Sequence, residues 1–375
     1  MNDNDFRLDF IRGSVAPKKH NARTIAALTS NPGCARRNVL DAAAVDKQEL
    51  AEHLGYRPQF GQSPFDLTRG KAFETFVKDH GCTELLKLLR EHLELPLPQV
   101  AYADLNNVAG HDTLETRYTN SRQQLTRAGR SGPGAGTLFD HPLLRMNIAG
   151  HNAYLEPDLI AFKLSEQFHI VEVKSFPIID GSANPAKVAL AATQSAVYVL
   201  ALRQLLQELR LDPSLVSDEV FLVCPENFSN RPTAARVDVR KQLTVLRRQL
   251  ARIADIGTLL GALPPTLTLD LYRDPEGKAT RSVADLCAAL DAIEARYAPE
   301  CLTTCEMALY CLNEAHDRTA RLGRSVQEDL GGIESITRTL HLAEGTRTPG
   351  EHEYEATQLL RMAAQLRVDC LGGVA

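Results

Sequence analysis

Charge set inside a pair of otherwise apolar strands constrains this chain more than any other feature. Residues 154–176 read YLEPDLIAFKLSEQFHIVEVKSF, two β-strands joined by a short polar turn, with apolar and β-branched residues on both sides of it. Within them stand Asp158, Glu172 and Lys174. Charged residues are rarely buried in a sheet unless they are paired, bind a metal or do chemistry. In a strand, residues two apart share a face, so Glu172 and Lys174 point the same way. Antiparallel pairing across KLSEQ allows a register that sets Asp158 opposite Glu172. Two facing carboxylates repel, and a divalent cation between them reverses the sign of that contact. Hard oxygen ligands with positions left for water suit Mg²⁺ or Mn²⁺. Lys174 beside the cation then orients or deprotonates a water and offsets charge developing on a phosphate.

The rest of the chain bounds what can surround such a hairpin. Its 375 residues suggest two or three domains. A net charge of −5 argues against a wholly basic nucleic-acid binder, so nucleic-acid contacts have to come from local patches. The acidic, polar start MNDNDFRLDF lacks a signal-peptide pattern, and no uninterrupted apolar run approaches a membrane span. The expectation is therefore a cytosolic protein with no membrane partner. In a reducing compartment the eight cysteines are poor candidates for a disulfide framework, and clustered ones read better as metal or cluster ligands.

Periodicity gives a coarse order. Residues 1–60 read as helical and irregular, with Cys34 just ahead of a helix. SPFDLTRGKAFETFVKDHG, from Ser63, reads as a helix ending at Gly81, and a second helix spans about residues 83–93. Residues 117–130 carry Arg117, Arg122, Arg127 and Arg130 without an acidic residue, and run into a flexible SGPGAG. Three strands are expected from HPLLRMNI, AYLEPDLIAF and HIVEVKSF. A long helix follows over AKVALAATQSAVYVLALRQLLQEL, then a short buried strand, EVFLVCP. Leu243, Leu246, Leu250 and Ile253 mark an amphipathic helix. TLTLDLY alternates like an edge strand, and everything from residue 281 onward reads as helical.

Pro157–Asp158 followed by Glu172-x-Lys174 resembles the signature of the PD-(D/E)xK nuclease superfamily. QSAVY puts Gln194 and Tyr198 one helical turn apart on one face, and it resembles the Q-x3-Y motif of the RecB-type branch, whose helix touches DNA beside the metal. RGKAFE resembles the branch's G-x3-H motif, with Glu74 where the family has a metal-reaching histidine. Cys301, Cys305 and Cys311, together with Cys34 far upstream, resemble the iron–sulfur subset of the same branch, which includes the AddB nuclease domain and the CRISPR adaptation nucleases. In that subset four such cysteines hold a [4Fe–4S] cluster, the usual ligand set being four thiolates. The C-terminal spacing here has one residue more in its first gap than the family pattern. A structural zinc site would use the same four residues. Cys224 and Cys287 read as core residues.

The resemblance implies an α/β fold: a restriction-endonuclease-like mixed central sheet flanked by helices, with a helical cluster region formed by N- and C-terminal segments. It divides the chain into an N-terminal segment 1–60, a nuclease core 61–255 with an insertion at about 95–137, and a helical C-terminal region 256–375. It implies a Mg²⁺- or Mn²⁺-dependent deoxyribonuclease, endo- or exonucleolytic, serving DNA repair or antiviral defence. Asp158 and Glu172 hold the metal with Glu74 and the Val173 carbonyl, and Lys174 completes the catalytic set. Gln194 and Tyr198 contact DNA. The four arginines of residues 117–130, read from their charge as a mobile basic loop able to close over a phosphate backbone, add to that contact. Strong sequence specificity is not expected, because no helix-turn-helix or zinc-finger pattern is present. No G-x4-G-K-[S/T] occurs, so any motor is a separate helicase or defence-system subunit. The alternative is a catalytically silent DNA-binding or scaffolding subunit with a structural cluster or zinc.

Overall fold

The computed structural model describes residues 3–58, 64–93, 100–106, 113–130, 136–164, 167–227 and 229–372. In chain order the elements are α1 (Asp3–Arg12), α2 (Ala22–Ala27), α3 (Ala35–Ala42), α4 (Lys47–His53), α5 (Pro64–Leu93), β1 (Val100–Asp104), α6 (Leu114–Arg130), β2 (Gly136–Asp140), β3 (Leu144–Ile148), β4 (His151–Leu155), β5 (Leu159–Leu164) and β6 (Gln167–Val173). There follow α7 (Pro185–Glu208), β7 (Glu219–Pro225), β8 (Pro232–Asp238), α8 (Arg240–Ala254), α9 (Gly257–Ala262), α10 (Val283–Asp291), α11 (Ala308–Glu314), α12 (Arg324–Asp329), α13 (Ile336–Ala343) and α14 (Tyr354–Gly372). The chain forms two compact units. One gathers residues 1–6, 18–29 and 61–258; the other gathers 7–17, 30–60 and 259–375.

The first unit is a mixed α/β layer structure. Its six-stranded sheet runs β1-β2-β5-β6-β7-β8, with β1–β2 and β6–β7 parallel and the other pairs antiparallel. β6 is buried along nearly its whole length, which is what a central strand covered on both faces requires. One face packs on α5: Phe73, Val77, Leu85 and Leu89 form a buried cluster with Leu159, Val171, Val173, Phe221 and Val223. The opposite face carries Leu222 and Cys224 against Ala191 of α7. α7 is the connection between parallel β6 and β7, begins at an Asn184 cap that accepts from the Ala186 and Lys187 amides, and is mostly buried. Among the described residues α7 alone is long and apolar enough to cross a membrane, and over half of that window is buried within this protein.

Several expectations are corrected here. AYLEPDLIAF is two strands, β4 and β5, in different sheets; β4 pairs with β3 as a separate hairpin. The break falls at Glu156–Pro157, where the proline cannot donate to a ladder. Residues 100–104, inside the stretch read as an insertion, and 136–140, which begin at its end, are strands of the main sheet. Residues 232–238 are an edge strand opening on Pro232, a position where a strand tolerates proline. The expected helix break near Gly81 is present as non-helical backbone from Asp79 to Cys82 within α5.

The regular elements of the second unit are all helices, joined by long irregular stretches such as residues 263–282 and 292–298. TLTLDLY is not an edge strand: Leu267, Leu269 and Leu271 are buried in alternation, but the segment is irregular, its Leu269 amide bonding to the Ile11 carbonyl. The start of the expected helix at Ser63 and residues 131–135 of SGPGAG lie outside the described residues, as does the turn at residues 165–166.

Candidate active site and cysteine site

The register of the central hairpin matches the one expected. Leu159 pairs with Val171, and one further step sets Asp158 opposite Glu172. There the ladder ends, and the Asp158 carboxylate accepts from the Val173 amide at 2.7 Å instead of a main-chain carbonyl doing so. Glu172 is 1% exposed. Its Oε1 accepts a hydrogen bond from the Lys174 ammonium, while its Oε2 is buried with no hydrogen-bond partner. Burial and then the neighbouring Asp158 charge raise the Glu172 carboxyl to about 8. Asp158 is raised too, by burial first and with the Glu74 charge adding to it, while Lys174 works against the shift. Burial alone would lower Lys174, but Glu172 and Asp158 more than offset it, so its ammonium is held charged. A half-made carboxylate with an orphaned buried oxygen and a second carboxylate beside it is a donor set that suits a hard divalent cation.

Glu74 is engaged elsewhere. Val171 and Val173 pack toward α5, so by the two-residue period Glu172 points to the other face of the sheet. On the α5 side Glu74 accepts from Lys78 at 2.6 Å and lies 3.3 Å from His141 Nε2. Lys78 also reaches Asp140 at 2.8 Å and the Asp158 carbonyl at 3.0 Å. His141 Nδ1 is 2.9 Å from Asp140, and its amide donates to the Asp158 carbonyl at 3.2 Å. His141 itself sits in left-handed backbone, φ 47°, a conformation uncommon for a non-glycine residue that its contacts must hold. Hydrogen bonds from His141 and then Lys78 lower Glu74 to about 2, and those to Asp140 and Glu74 raise His141 to about 9. Burial would raise Asp140, yet bonds from His141, Lys78 and Tyr102 hold it well below the ordinary range.

Sequence reasoning missed Lys78, Asp140 and His141. Lys78 had a legible signal, being four residues after Glu74 on one helix face; Asp140 and His141 had none, because β2 was not recognised as a strand ending at the site. Among the described residues, no group of three or more His, Cys, Asp or Glu side chains is placed so as to hold a metal ion.

Gln194 and Tyr198 are on one face of α7, and the Gln194 amide donates to the Tyr198 hydroxyl at 3.1 Å. Tyr198 is buried; burial, then the Glu172 charge, raises its hydroxyl well above the usual range. Its side chain is directed to the carboxylates rather than outward, so a direct DNA contact by Tyr198 is not what this placement offers. Residues 117–130 are not a mobile loop but most of α6, whose apolar face buries Tyr118, Ser121, Leu125 and Ala128. Arg122, Arg127 and Arg130 stand exposed on it. Arg117 turns inward: it pairs with Glu156, two residues before Asp158, and reaches the His141 carbonyl at 3.4 Å, which ties α6 to both loops of the site.

The four cysteines of the second unit, Cys34, Cys301, Cys305 and Cys311, are all buried and free. The segment around α3 addresses each in turn. Cys34 caps α3, accepting from the Arg37 amide at 3.5 Å, and it also accepts from the Arg296 amide at 3.5 Å. Asn31 donates to Cys301 at 3.2 Å, Arg36 to Cys311 at 3.5 Å, and Arg37 to the Thr304 carbonyl next to Cys305 at 3.0 Å. Burial raises Cys305 to about 11 against Lys47 and Arg37, and Cys311 to about 12 against Arg36. Arg36, Arg37 and Lys47 are themselves buried beside Glu314, Asp41 and Glu306. Buried thiols in a cationic, hydrogen-bonding shell are of the donor type that a tetrathiolate-bound cluster or zinc uses, but the four are not placed as a metal-holding group.

No protein-family model matches this chain, and no curated protein matches it. Among solved structures, one named "Crystal structure of SSO0001" aligns with 70% of this chain and 88% of its own at 11% identity, with a TM-score of 0.26. A likeness of that size carries no argument about fold or function.

Proposed function

We propose that this protein is a divalent-metal-dependent nuclease that hydrolyses DNA phosphodiester bonds, of the PD-(D/E)xK type and its RecB-like iron–sulfur branch. The observation that carries the reading is the buried Asp158–Glu172 pair at the end of the central hairpin, with an unsatisfied Glu172 oxygen and a charged Lys174 next to it. Asp158, Glu172 and the Val173 carbonyl are the groups that would hold Mg²⁺ or Mn²⁺. Glu74 would join them only by loosening its bonds to Lys78 and His141. When bound, such a cation polarises a phosphoryl oxygen and makes water a better nucleophile.

The chain's own residues supply the remainder. Lys174 is a hydrogen-bond donor and fixed positive charge rather than a base, because its two carboxylates keep it protonated. It therefore suits orienting a water and offsetting charge on phosphorus-bound oxygen. Lys78 and the His141 amide hold the Asp158 carbonyl, and so fix the loop that carries that carboxylate. Tyr198, bonded to Gln194, is buried where it feels the Glu172 charge. The four cysteines would hold a [4Fe–4S] cluster, with zinc the other occupant the thiolates permit. DNA repair or antiviral defence, alongside a separate motor subunit, is the setting the family resemblance suggests.

One observation favours the second reading, a silent DNA-binding or scaffolding subunit: Glu74 is sequestered by Lys78 and His141, leaving two carboxylates on the hairpin itself. Incubating the anaerobically purified chain with Mn²⁺ and end-labelled DNA separates the two. Cleavage that Lys174→Ala removes while leaving DNA binding in place is expected; equal cleavage by that variant would sink the mechanism, and none by the native chain would favour the silent subunit.

A further inference from the structure

The charge of α8 runs against that of the chain around it. Over Arg240–Ala254 it carries five basic residues and no acidic one, in a protein whose net charge is −5. The helix packs beside α7 and buries Leu243, Leu246 and Ile253, while its cations all stand exposed. Lys241 and Arg248 are two turns apart on one stripe, and Arg252 continues it by a further turn, a row about 16 Å long. Arg240 pairs with Asp238, but among the described residues Lys241, Arg247 and Arg248 have no side-chain hydrogen bond or ion pair. Between α8 and the second half of α7 opens a hollow of about 510 Å³, lined by Arg203, Gln204, Gln207, Ser214 and Arg247. Arg203 donates to the Val216 carbonyl at 2.6 Å and pairs with Asp218 at 3.0 Å, and its Nε is buried with no acceptor. The Ser214 hydroxyl is taken by Asp212 at 2.6 Å. Gln204, Gln207 and Arg247 have no side-chain partner among the described residues, so the hollow offers donors that this unit does not itself use.

We infer that the exposed face of α8 and the hollow beside it form a second surface for the phosphate backbone of DNA, apart from the hairpin carboxylates. The inference rests on DNA being the partner, as both readings above take it. Lysine and arginine on such a face neutralise phosphates and release their counterions, and side-chain amides donate to phosphate oxygens without reading sequence. An anionic membrane is the poorer match, because a helix that lies on lipid inserts its apolar face, and α8 spends that face on the protein; Val245 is the one large apolar residue it leaves exposed. The surface belongs to the same unit as the hairpin. Gln204 and Gln207 follow Tyr198 by six and nine residues on α7, which puts the hollow about 9 to 14 Å along that helix from the tyrosine beside Glu172. That distance is about three to four steps of a DNA strand, so one duplex engages both places within a helical turn.

The full chain, with EDTA in place of divalent metal so that DNA stays intact, is titrated against a fluorescent duplex of about 20 base pairs, and anisotropy is followed across a series of salt concentrations. Arg247→Gln and Arg248→Gln, both at exposed helix positions, should each weaken binding about eightfold at about 0.1 M salt and lower the salt slope by about one; the double variant should lower it by about two. Arg90→Gln, exposed on the helix that covers the opposite face of the sheet, should leave both near native. The same variants are then given Mn²⁺ and end-labelled DNA. Native-like binding by the α8 variants of a chain that cleaves overturns this inference and leaves the nuclease reading standing. Weakened binding by them in a chain that never cleaves supports this surface and overturns the nuclease reading. An equal loss in Arg90→Gln would make the effect one of net charge and overturn the inference, as would a native chain that binds phosphatidylserine vesicles through these arginines but not the duplex.

Discussion

Glu172 gives the sharpest quantitative test, because the same burial that makes it a candidate ligand makes it reluctant to ionise. Its carboxyl is raised to about 8 from an ordinary 4.5. A cation bound by Glu172 must displace that proton, so Mn²⁺ affinity should climb with pH and level off above about 8. Each pH unit below that value costs about 1.4 kcal/mol, which at pH 6 amounts to roughly 3 kcal/mol and about 100-fold weaker binding. The sign also holds for stability without metal. A carboxyl whose folded value lies above its unfolded one contributes stability fully below pH 4.5 and loses it as pH rises to about 8. The metal-free chain should therefore lose stability across that window, and Mn²⁺ should restore it. Isothermal titration with Mn²⁺ in buffers of different ionisation enthalpy measures both quantities, and close to one proton should be released per ion at pH 6.5 and almost none at pH 9. Glu172→Gln should flatten the dependence. An affinity that is level from pH 6 to 9, with no proton released, would refute the placement of the cation at Glu172.

The remaining predictions concern the shell around the hairpin. Lys78→Met leaves Asp140 and Glu74 without their shared cation, and removal of one partner from such a buried network costs about 3–5 kcal/mol; urea unfolding with an unchanged slope would measure it, and a loss under about 1 kcal/mol would contradict the network. Arg117→Ala and Arg130→Ala should separate two roles on one helix. Arg117, paired to Glu156, should affect cleavage with little change in DNA affinity, whereas exposed Arg130 should weaken binding and lower the salt slope by about one. Equal effects of the two on binding, measured by fluorescence anisotropy across salt concentrations, would show that Arg117 is not turned inward in solution.

What the residues revealed and what they hid divide along one physical line. The hairpin was readable because its information is local: Asp158, Glu172 and Lys174 lie within one pairing unit, and alternation plus a short turn determine which of them meet. The same held for α7 and for β7, where long apolar runs leave few alternatives. β1 and β2 were lost for the opposite reason. Each is five residues long, β1 is largely exposed, and each owes its strand state to a partner distant in sequence rather than to its own propensity. Losing β2 meant losing Asp140 and His141, since no local pattern says that a strand ends there. The expected role of Glu74 suffered from a related gap. Helix spacing shows that Glu74 and Lys78 share a face, but whether that face meets the hairpin's carboxylates depends on which side of the sheet α5 covers. With Val171 and Val173 directed to α5, Glu172 must face α7, and a carboxylate on α5 can approach it only around the strand end, where Asp158, Lys78 and His141 already stand. A site of this kind is therefore half written in its strands and half in the order of its sheet. Alternation supplies the first half, and only the layer arrangement supplies the second.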